Sequence, residues 1–435
     1  MNNFKSLKKH LNSCIKSMDR SRSLFVVDPK KHFTRKRKHL FGNTLLNVIL
    51  LEAGSLKDEI YKLFGYHLDT PTASSFIQAR DKIRPDAFRS LFDSFNRNTH
   101  IVPLLKGFRL IAVDGTVLPI RNEFKDEKTT IMNGNQSNIP FSAFHINTSY
   151  DLLEHTYEDV IIQGQAVMDE NGAFRQIVDR YQGRKAIFIA DRGYESLNSF
   201  AQINHSGNKF LIRVKDIGSR TSVLRSFGPF PDTEFDRTVK RTLTRRQTKE
   251  IKAHPEIYKF VPKNQRFDYF GESEFYDMSF RVVRFEISDG TYESIVTNLD
   301  KDEFTITEIK ELYHRRWEIE TSYRDLKYDL DLNTLHSKKR NLIEQEIYAR
   351  LILYNFCRRI TNEVRIEERK REYEYQLNYV RAYHMIRDYL KKKGRTDLPN
   401  IEELLAKEIL PVRHNRQNER KIKPKNAIGF NYRYD

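Results

Sequence analysis

Three carboxylates stand where they could act together. Asp114 follows the apolar run "FRLIAV" and Asp191 follows "KAIFIA", and each has a glycine close behind it, Gly115 and Gly193. A carboxylate that closes an apolar strand beside a flexible turn can face a cleft while the sheet holds it rigid. Taken singly, each is also the kind of Asp that forms turns and caps helices. The third is Glu320, inside "YHRRWEIETSYRDLK", Tyr313 to Lys327.

That stretch reads as a single helix. At roughly 100° per residue, with Tyr313 at zero, Arg316, Glu320 and Lys327 all fall within about 60° of it on one stripe. Leu312, Ile319, Tyr323 and Leu326 fall on the flanking side, where they can pack on a sheet. Arg316–Glu320 and Glu320–Arg324 are both i,i+4 pairs, so a salt-bridged surface face explains the charges as well. Against that stands the company of Tyr313 and the chain's single Trp, Trp317. Spacing alone leaves Glu320 undecided between salt bridge and metal ligand.

Three converging carboxylates repel one another unless cations neutralise them. Mg²⁺ suits such a set, being held by a few carboxylates plus water and phosphate oxygens. Two such ions can assist both the attacking and the leaving oxygen of an in-line phosphoryl displacement. No HExxH, Walker A loop or GxSxG occurs, so zinc peptidase, ATPase and serine hydrolase readings have no motif behind them.

The elements that must position these residues follow from periodicity. Residues 1–106 read as a basic helical domain. Its first 38 residues hold twelve Lys or Arg against two Asp, densest in "FTRKRKHL", and Thr72 is a candidate N-cap for a helix after it. From 107 to 216 the order is βββαβαβ, which predicts a mixed sheet with helices against it and contains both Asp. Residues 217–292 read as an inserted, mostly β, basic subdomain. Residues 293–364 return to the core with the Glu320 helix, and 365–435 form a helical and basic C-terminal region.

The balance of 76 Lys and Arg against 59 Asp and Glu, net +17, predicts a polyanionic partner, most simply nucleic acid. Cys14 and Cys357 are the only cysteines and form no CxxC, which leaves neither a disulfide framework nor a cysteine zinc site. The opening "MNNFKSLKKH" has no apolar h-region, and runs such as "LLNVILL" are far too short to span a bilayer. A cytoplasmic, nucleoid-associated bacterial protein that meets no membrane is the expectation.

Together, "AVDGT" around Asp114, "ADRGY" around Asp191, "TNL" at 297–299 and the Tyr313–Lys327 stretch resemble the DDE transposases of the insertion sequence four family. That family's signature of Tyr, two residues, Arg, three residues, Glu, six residues, Lys falls without a gap on Tyr313, Arg316, Glu320 and Lys327. The resemblance covers roughly 33–364 and, more loosely, the "RKIKPKNAIGFNYR" tail. It implies an α/β fold: a ribonuclease-H-like mixed-sheet catalytic core with a mostly β insertion, flanked by helical N-terminal and C-terminal regions. It implies that Asp114, Asp191 and Glu320 hold Mg²⁺, with Mn²⁺ able to substitute, and that Tyr313, Arg316 and Lys327 contact terminal DNA phosphates. Arg192, Trp317, Tyr292 and the basic run Arg35, Lys36, Arg37 and Lys38 are further candidate DNA contacts. Relatives stack a flipped base on a Trp from the insertion. Here the insertion has none, so Tyr292, or Phe267, Tyr269 and Phe270, would offer the aromatic face. The implied activity is metal-dependent cleavage at transposon ends and strand transfer into target DNA, by a dimer in a synaptic complex on double-stranded DNA. In some members a DNA hairpin is an intermediate. The alternatives are a nuclease of the same fold without strand transfer, and an inactive derivative that only binds DNA.

Overall fold

The computed structural model describes residues 3–97, 102–120, 126–131, 141–366, 373–392 and 400–412. The tail motif at 420–433 lies outside them.

Five helices open the chain: α1 (Asn3–Arg20), α2 (Phe41–Leu50), α3 (Leu56–Leu63), α4 (Ala73–Arg80) and α5 (Asp86–Asn96). The side chain of Thr72 accepts from the Ser75 amide and caps α4, as its position predicts. The sheet follows with β1 (Arg109–Ile120), β2 (Thr130–Ile131), β3 (Phe141–Asp151) and β4 (Thr156–Gly164). Helix α6 (Glu170–Arg180), β5 (Ala186–Ala190), α7 (Leu197–His205) and β6 (Lys209–Val214) complete the first half of the core. The βββαβαβ order is present apart from the added two-residue β2.

Strands β4, β3, β1, β5 and β6 lie side by side in that order. The pairs β4–β3 and β3–β1 are antiparallel, and β1–β5 and β5–β6 are parallel. This is the ribonuclease-H-like arrangement. The parallel strands are covered on both faces, which is why "LIAV" and "AIFIA" are unbroken apolar runs. Alternation along β1 sends Leu110 and Ala112 to one hydrophobic core and Ile111 and Val113 to another across the sheet.

The region 217–292 is mostly β but is not a separate sheet. Its strands β7 (Phe235–Thr244), β8 (Tyr258–Phe260) and β9 (Phe275–Ser288) join β10 (Thr291–Thr297), and α8 (Lys249–Ala253) sits between β7 and β8. Strand β10 pairs with β6, β9 with β10, and β7 with β9, so the core sheet simply runs on through them. The sequence boundary at 292 falls inside β10.

The signature stretch is also not one regular helix. Helix α9 (Ile306–Arg315) stops at Arg316, α10 (Trp317–Arg324) restarts there, and Asp325–Asp329 form a π turn. The junction is tightened by bonds from the Arg316 amide to Tyr313 O, 3.0 Å, and from the Ile319 amide to Arg316 O, 3.1 Å. Leu312, Ile319, Tyr323 and Leu326 are buried, as the flanking side of the stripe requires.

Helix α11 (Arg340–Thr361) is buried along most of its length and packs against α2 and α5 as well as β4. Its Glu346 receives Arg80 of α4 at 2.8 Å, both side chains being almost wholly buried. The chain continues through β11 (Tyr375–Leu377), α12 (Tyr379–Lys391), α13 (Ile401–Lys407) and β12 (Ile409–Pro411), with β11 and β12 paired. Among the described residues no helix is long and apolar enough to cross a membrane.

Candidate active site

Strand β1 loses its β5 partner after Val113, which pairs with Ala190. Asp114 and Asp191 are the next residue on each strand, so the two carboxylates leave the sheet side by side. Asp114 does not end its strand: β1 continues to Ile120 against β3 alone. Gly115 is therefore not a turn residue. A Cβ there would lie 2.4 Å from His145 Nε2, so the glycine permits the imidazole of β3 to cross β1. Asp191 stands at the cap position of a short 3₁₀ turn, Arg192–Tyr194, but its side chain makes no capping bond. Neither Asp fills the turn or cap role that its neighbours in sequence allow.

Helix α10 brings Glu320 to the pair. The charges of Glu320 and Asp191 both act on Asp114 and, with burial as the larger cause, push its carboxyl up to about 6. The Gly115 amide and Arg316 oppose that rise. Arg316 is 3% exposed and binds Glu320 Oε1 through Nη2 at 2.9 Å. Burial works against its charge, yet Tyr313, Asp191, Asp114 and Glu320 together hold its guanidinium above the usual range. The Tyr313 hydroxyl donates to Asp191 Oδ1 at 3.1 Å. Tyr323, from the same helix pair, donates to the Asp114 backbone carbonyl at 2.7 Å.

The π turn swings Lys327 onto β1, where Nζ donates to Thr116 Oγ1 at 2.7 Å and to Val117 O at 2.8 Å. Burial lowers its pKa. Two of its three donors are thus committed to the strand that carries Asp114. Tyr313, Arg316, Glu320 and Lys327 all turn toward β1 and β5, as the stripe predicts, although the helix is broken twice.

The other candidates are placed less centrally. Arg192 is exposed on the turn after Asp191. Trp317 is 48% exposed, with Arg316 5.0 Å from its ring centre. Tyr292 is the second residue of β10 and has the Arg284 guanidinium 3.8 Å from its ring centre, which covers one aromatic face. Phe267 is buried among Tyr269, Phe270 and Tyr276 and serves the core of the insertion, so it is not a free stacking surface. Tyr269 stacks on His205 at 4.7 Å. Arg35, Lys36, Arg37 and Lys38 lie on an exposed loop before α2, where Lys38 pairs with Asp69 at 3.4 Å. No described contact joins that loop to the carboxylates.

Two contributors carry no signal in the sequence. Arg213 of β6 lies 3.7 Å from Asp191 Oδ1 and 3.3 Å from Glu293, linking the cleft to β10. It is an ordinary polar position in an apolar strand. Tyr323 has the spacing of a packing residue, and only its hydroxyl contact to β1 reveals a second role.

The donor set is all carboxylate oxygen, which fits a hard divalent cation. Among the described residues no three His, Cys, Asp or Glu side chains already stand as a closed metal cluster, and the positive charge between these carboxylates is Arg316.

Residues 106–356 match the model of the transposase DDE domain, a block that includes Asp114, Asp191 and Glu320. The chain is 23% identical over 293 residues to the transposase InsG for insertion sequence element IS4 of Escherichia coli (strain K12), covering 66% of this chain and 60% of that one. It is 21% identical over 290 residues to the transposase for insertion sequence element IS1151 of Clostridium perfringens, covering 60% of this chain and 59% of that one. It thus spans about 60% of the length of these curated relatives. A piggyBac transposase, solved as a synaptic complex with hairpin DNA, superposes with a TM-score of 0.46 at 10% identity, over 96% of this chain and 87% of that one. With more than half its length matched in one block that holds all three carboxylates, the chain belongs to the transposase DDE domain family.

Proposed function

We propose that the protein binds the terminal inverted repeats of an insertion sequence, cleaves the DNA there and joins the freed 3′ end to target DNA. The observation that carries this reading is the gathering of Asp114, Asp191 and Glu320 around one buried arginine at the open end of the β1–β5 pair. Asp114, Asp191 and Glu320 would hold divalent cations, Mg²⁺ or Mn²⁺, which when bound supply charge stabilisation at the scissile phosphate. The rest of the work belongs to the chain. Tyr313 orients the Asp191 carboxylate through its hydroxyl. Arg316 sits among the carboxylates and brings a guanidinium charge to them, the kind of group that recognises phosphate. Lys327 is fixed to β1 by two bonds and retains one N–H for the DNA backbone. Exposed Trp317 and Arg192 flank the same elements. The basic loop Arg35–Lys38 and the net charge of +17 supply sequence-independent affinity for DNA phosphates. Two ends must be held together for joining, so the working form is a dimer on double-stranded DNA.

The test is Glu320→Gln, assayed on labelled end-sequence DNA with Mg²⁺. Cleavage should fall by at least about a hundredfold, since the variant removes transition-state charge stabilisation, while gel-shift affinity for the same DNA persists. Cleavage at the wild-type rate would remove Glu320 from the site. Joining of the labelled end to a plasmid separates a transposase from a nuclease of the same fold.

A further inference from the structure

The edge of the sheet that carries Asp191 continues past the triad. Strands β5 and β6 are parallel, and Asp191 and Lys215 are the first residues beyond them at that edge. The Arg192–Tyr194 turn leads from one to the other, and Glu195 just after it fastens the two ends. Its Oε2 accepts from the Lys215 amide at 2.9 Å, and its Oε1 accepts from the Val223 amide. The Ser222 hydroxyl donates to Lys215 O, so the segment 215–223 closes on itself as a loop. Along this loop lies a cavity of about 530 Å³ that reaches from Glu195 to β8.

The lining is basic and unpaired. Arg220 comes from the loop, Arg225 from the 3₁₀ turn Val223–Ser226 that follows it, and Lys259 from β8. Among the described residues none of the three forms an ion pair. Arg225 Nη1 donates to Arg220 O at 3.5 Å, and Lys259 Nζ donates to the Ser226 hydroxyl. Burial lowers the pKa of Lys259, and no carboxylate restores it. By contrast, Arg246, Arg281 and Arg284 of the same region each have a carboxylate oxygen within 3.3 Å. Glu195 is the one carboxylate among the described lining residues, and both of its oxygens already accept from backbone amides. Three cations and the hydroxyls of Thr221 and Ser226 therefore share a cavity with no acid left to neutralise them. Like charges gathered in this way repel one another, and an anion seated among them removes the repulsion.

We infer that this cavity is a second phosphate site for DNA, in which Arg220, Arg225 and Lys259 hold neighbouring backbone phosphates of the duplex whose cleavage point lies at the triad. The inference rests on the proposed reading of DNA as the substrate. Contacts of this kind fix the register of the duplex on the protein without reading its bases.

The test is binding of the full chain to labelled end-sequence DNA, followed by fluorescence anisotropy from about 50 to 200 mM salt. Each phosphate contact adds about 0.9 to the slope of log affinity against log salt, so the double variant Arg225→Gln, Lys259→Gln should flatten it by about 1.8. Affinity at about 100 mM salt should fall by about tenfold or more. Arg237 and Lys240 are exposed on β7, outside the cavity, and provide a control with the same loss of charge. An equal loss in Arg237→Gln, Lys240→Gln would show general attraction and overturn the site. Wild-type affinity and slope in Arg225→Gln, Lys259→Gln would overturn the inference and leave the proposed function standing, whereas failure of the wild-type chain to bind DNA would overturn both. Loss of inorganic phosphate binding in that variant with DNA affinity unmoved would reassign the cavity to a free anion and overturn the DNA site. Arg225→Lys, which keeps the charge, should keep the slope; a merely structural role would shift the melting curve and leave the slope of every variant unmoved. Should the double variant fail to fold, Arg225→Gln alone decides, with a slope flatter by about 0.9 expected.

Discussion

Arg80 and Glu346 join the helical N-terminal part to the catalytic core, and removing one of them has a calculable effect. Arg80 is fully buried, and Glu346 is 2% exposed. The guanidinium donates to Glu346 Oε1 at 2.8 Å, to Gln345 Oε1 at 3.3 Å and to Leu342 O at 2.7 Å. Glu346 also accepts from the Ser337 hydroxyl at 2.7 Å and the His336 amide at 2.8 Å. Burial works against the Glu346 charge, yet Arg80 and His336 hold its carboxyl well below the usual range. Breaking a buried pair from one side costs about 3–5 kcal/mol, because the survivor remains charged and buried. Arg80→Met leaves Glu346 with two donors, so the lower end, about 3 kcal/mol, applies. With a urea slope of about 3 kcal/mol per molar, the unfolding midpoint should fall by about 1 M. The double variant Arg80→Met, Glu346→Leu removes both charges and should recover most of the loss, to within about 1 kcal/mol of wild type. The folded pKa is depressed, so the pair's contribution is present above the unfolded value of about 4.3 and is lost as pH falls below it. The Arg80→Met deficit should therefore shrink in acid. An Arg80→Met midpoint within about 0.2 M of wild type at neutral pH, where that slope makes about 0.6 kcal/mol, would refute the argument.

Gly115→Ala should cost about 1–3 kcal/mol by overpacking, since the new methyl meets His145 Nε2 at 2.4 Å and that ring is buried; a urea melt checks it, and wild-type stability would mean that β1 and β3 separate more easily than their packing implies. Burial, with Asp329 adding to it, pushes the Asp325 carboxyl up to about 6. A raised folded pKa means that the ionised form is penalised above about pH 6 and the penalty vanishes below about pH 4, so Asp325→Asn should be more stable by about 1–2 kcal/mol at pH 8 and equal to wild type at pH 3.5. Melting curves at the two pH values decide it, and a gain that is the same at both would show that charge is not its source.

What could be read in the sequence, and what could not, divides along physical lines. Strands β1 and β5 are legible because both faces are covered, which forces unbroken apolar runs. The α6 and α7 helices follow from their apolar spacing. Gly115 misleads because glycine signals a turn far more often than a close crossing, and only the position of His145 tells the two apart. The strands of 217–292 look like a separate unit because pairing partners are not encoded locally; that β10 hydrogen-bonds to β6 depends on the register of two distant segments. The breaks at Arg316 and Asp325 escape because angular arithmetic assumes α geometry throughout. Their backbone bonds run i→i+3 at one and i→i+5 at the other.

The ion pair of Glu320 does not exclude its proposed role as a cation ligand. The i,i+4 contact with Arg316 is real, at 2.9 Å. On a solvated face it would stabilise the helix by only a few tenths of a kcal/mol. Here the arginine is 3% exposed, and burying an unpaired guanidinium costs several kcal/mol. It is tolerated because three carboxylates surround it, and the carboxylates in turn tolerate one another because the arginine is there. Charge in this cleft is thus mutually dependent. A cation entering among Asp114, Asp191 and Glu320 would take over part of that neutralising role and loosen the hold on Arg316, whose charge would then be free to act on an incoming phosphate. The Arg316–Glu320 pair would then be the resting partner of the proposed ligand role and not its rival.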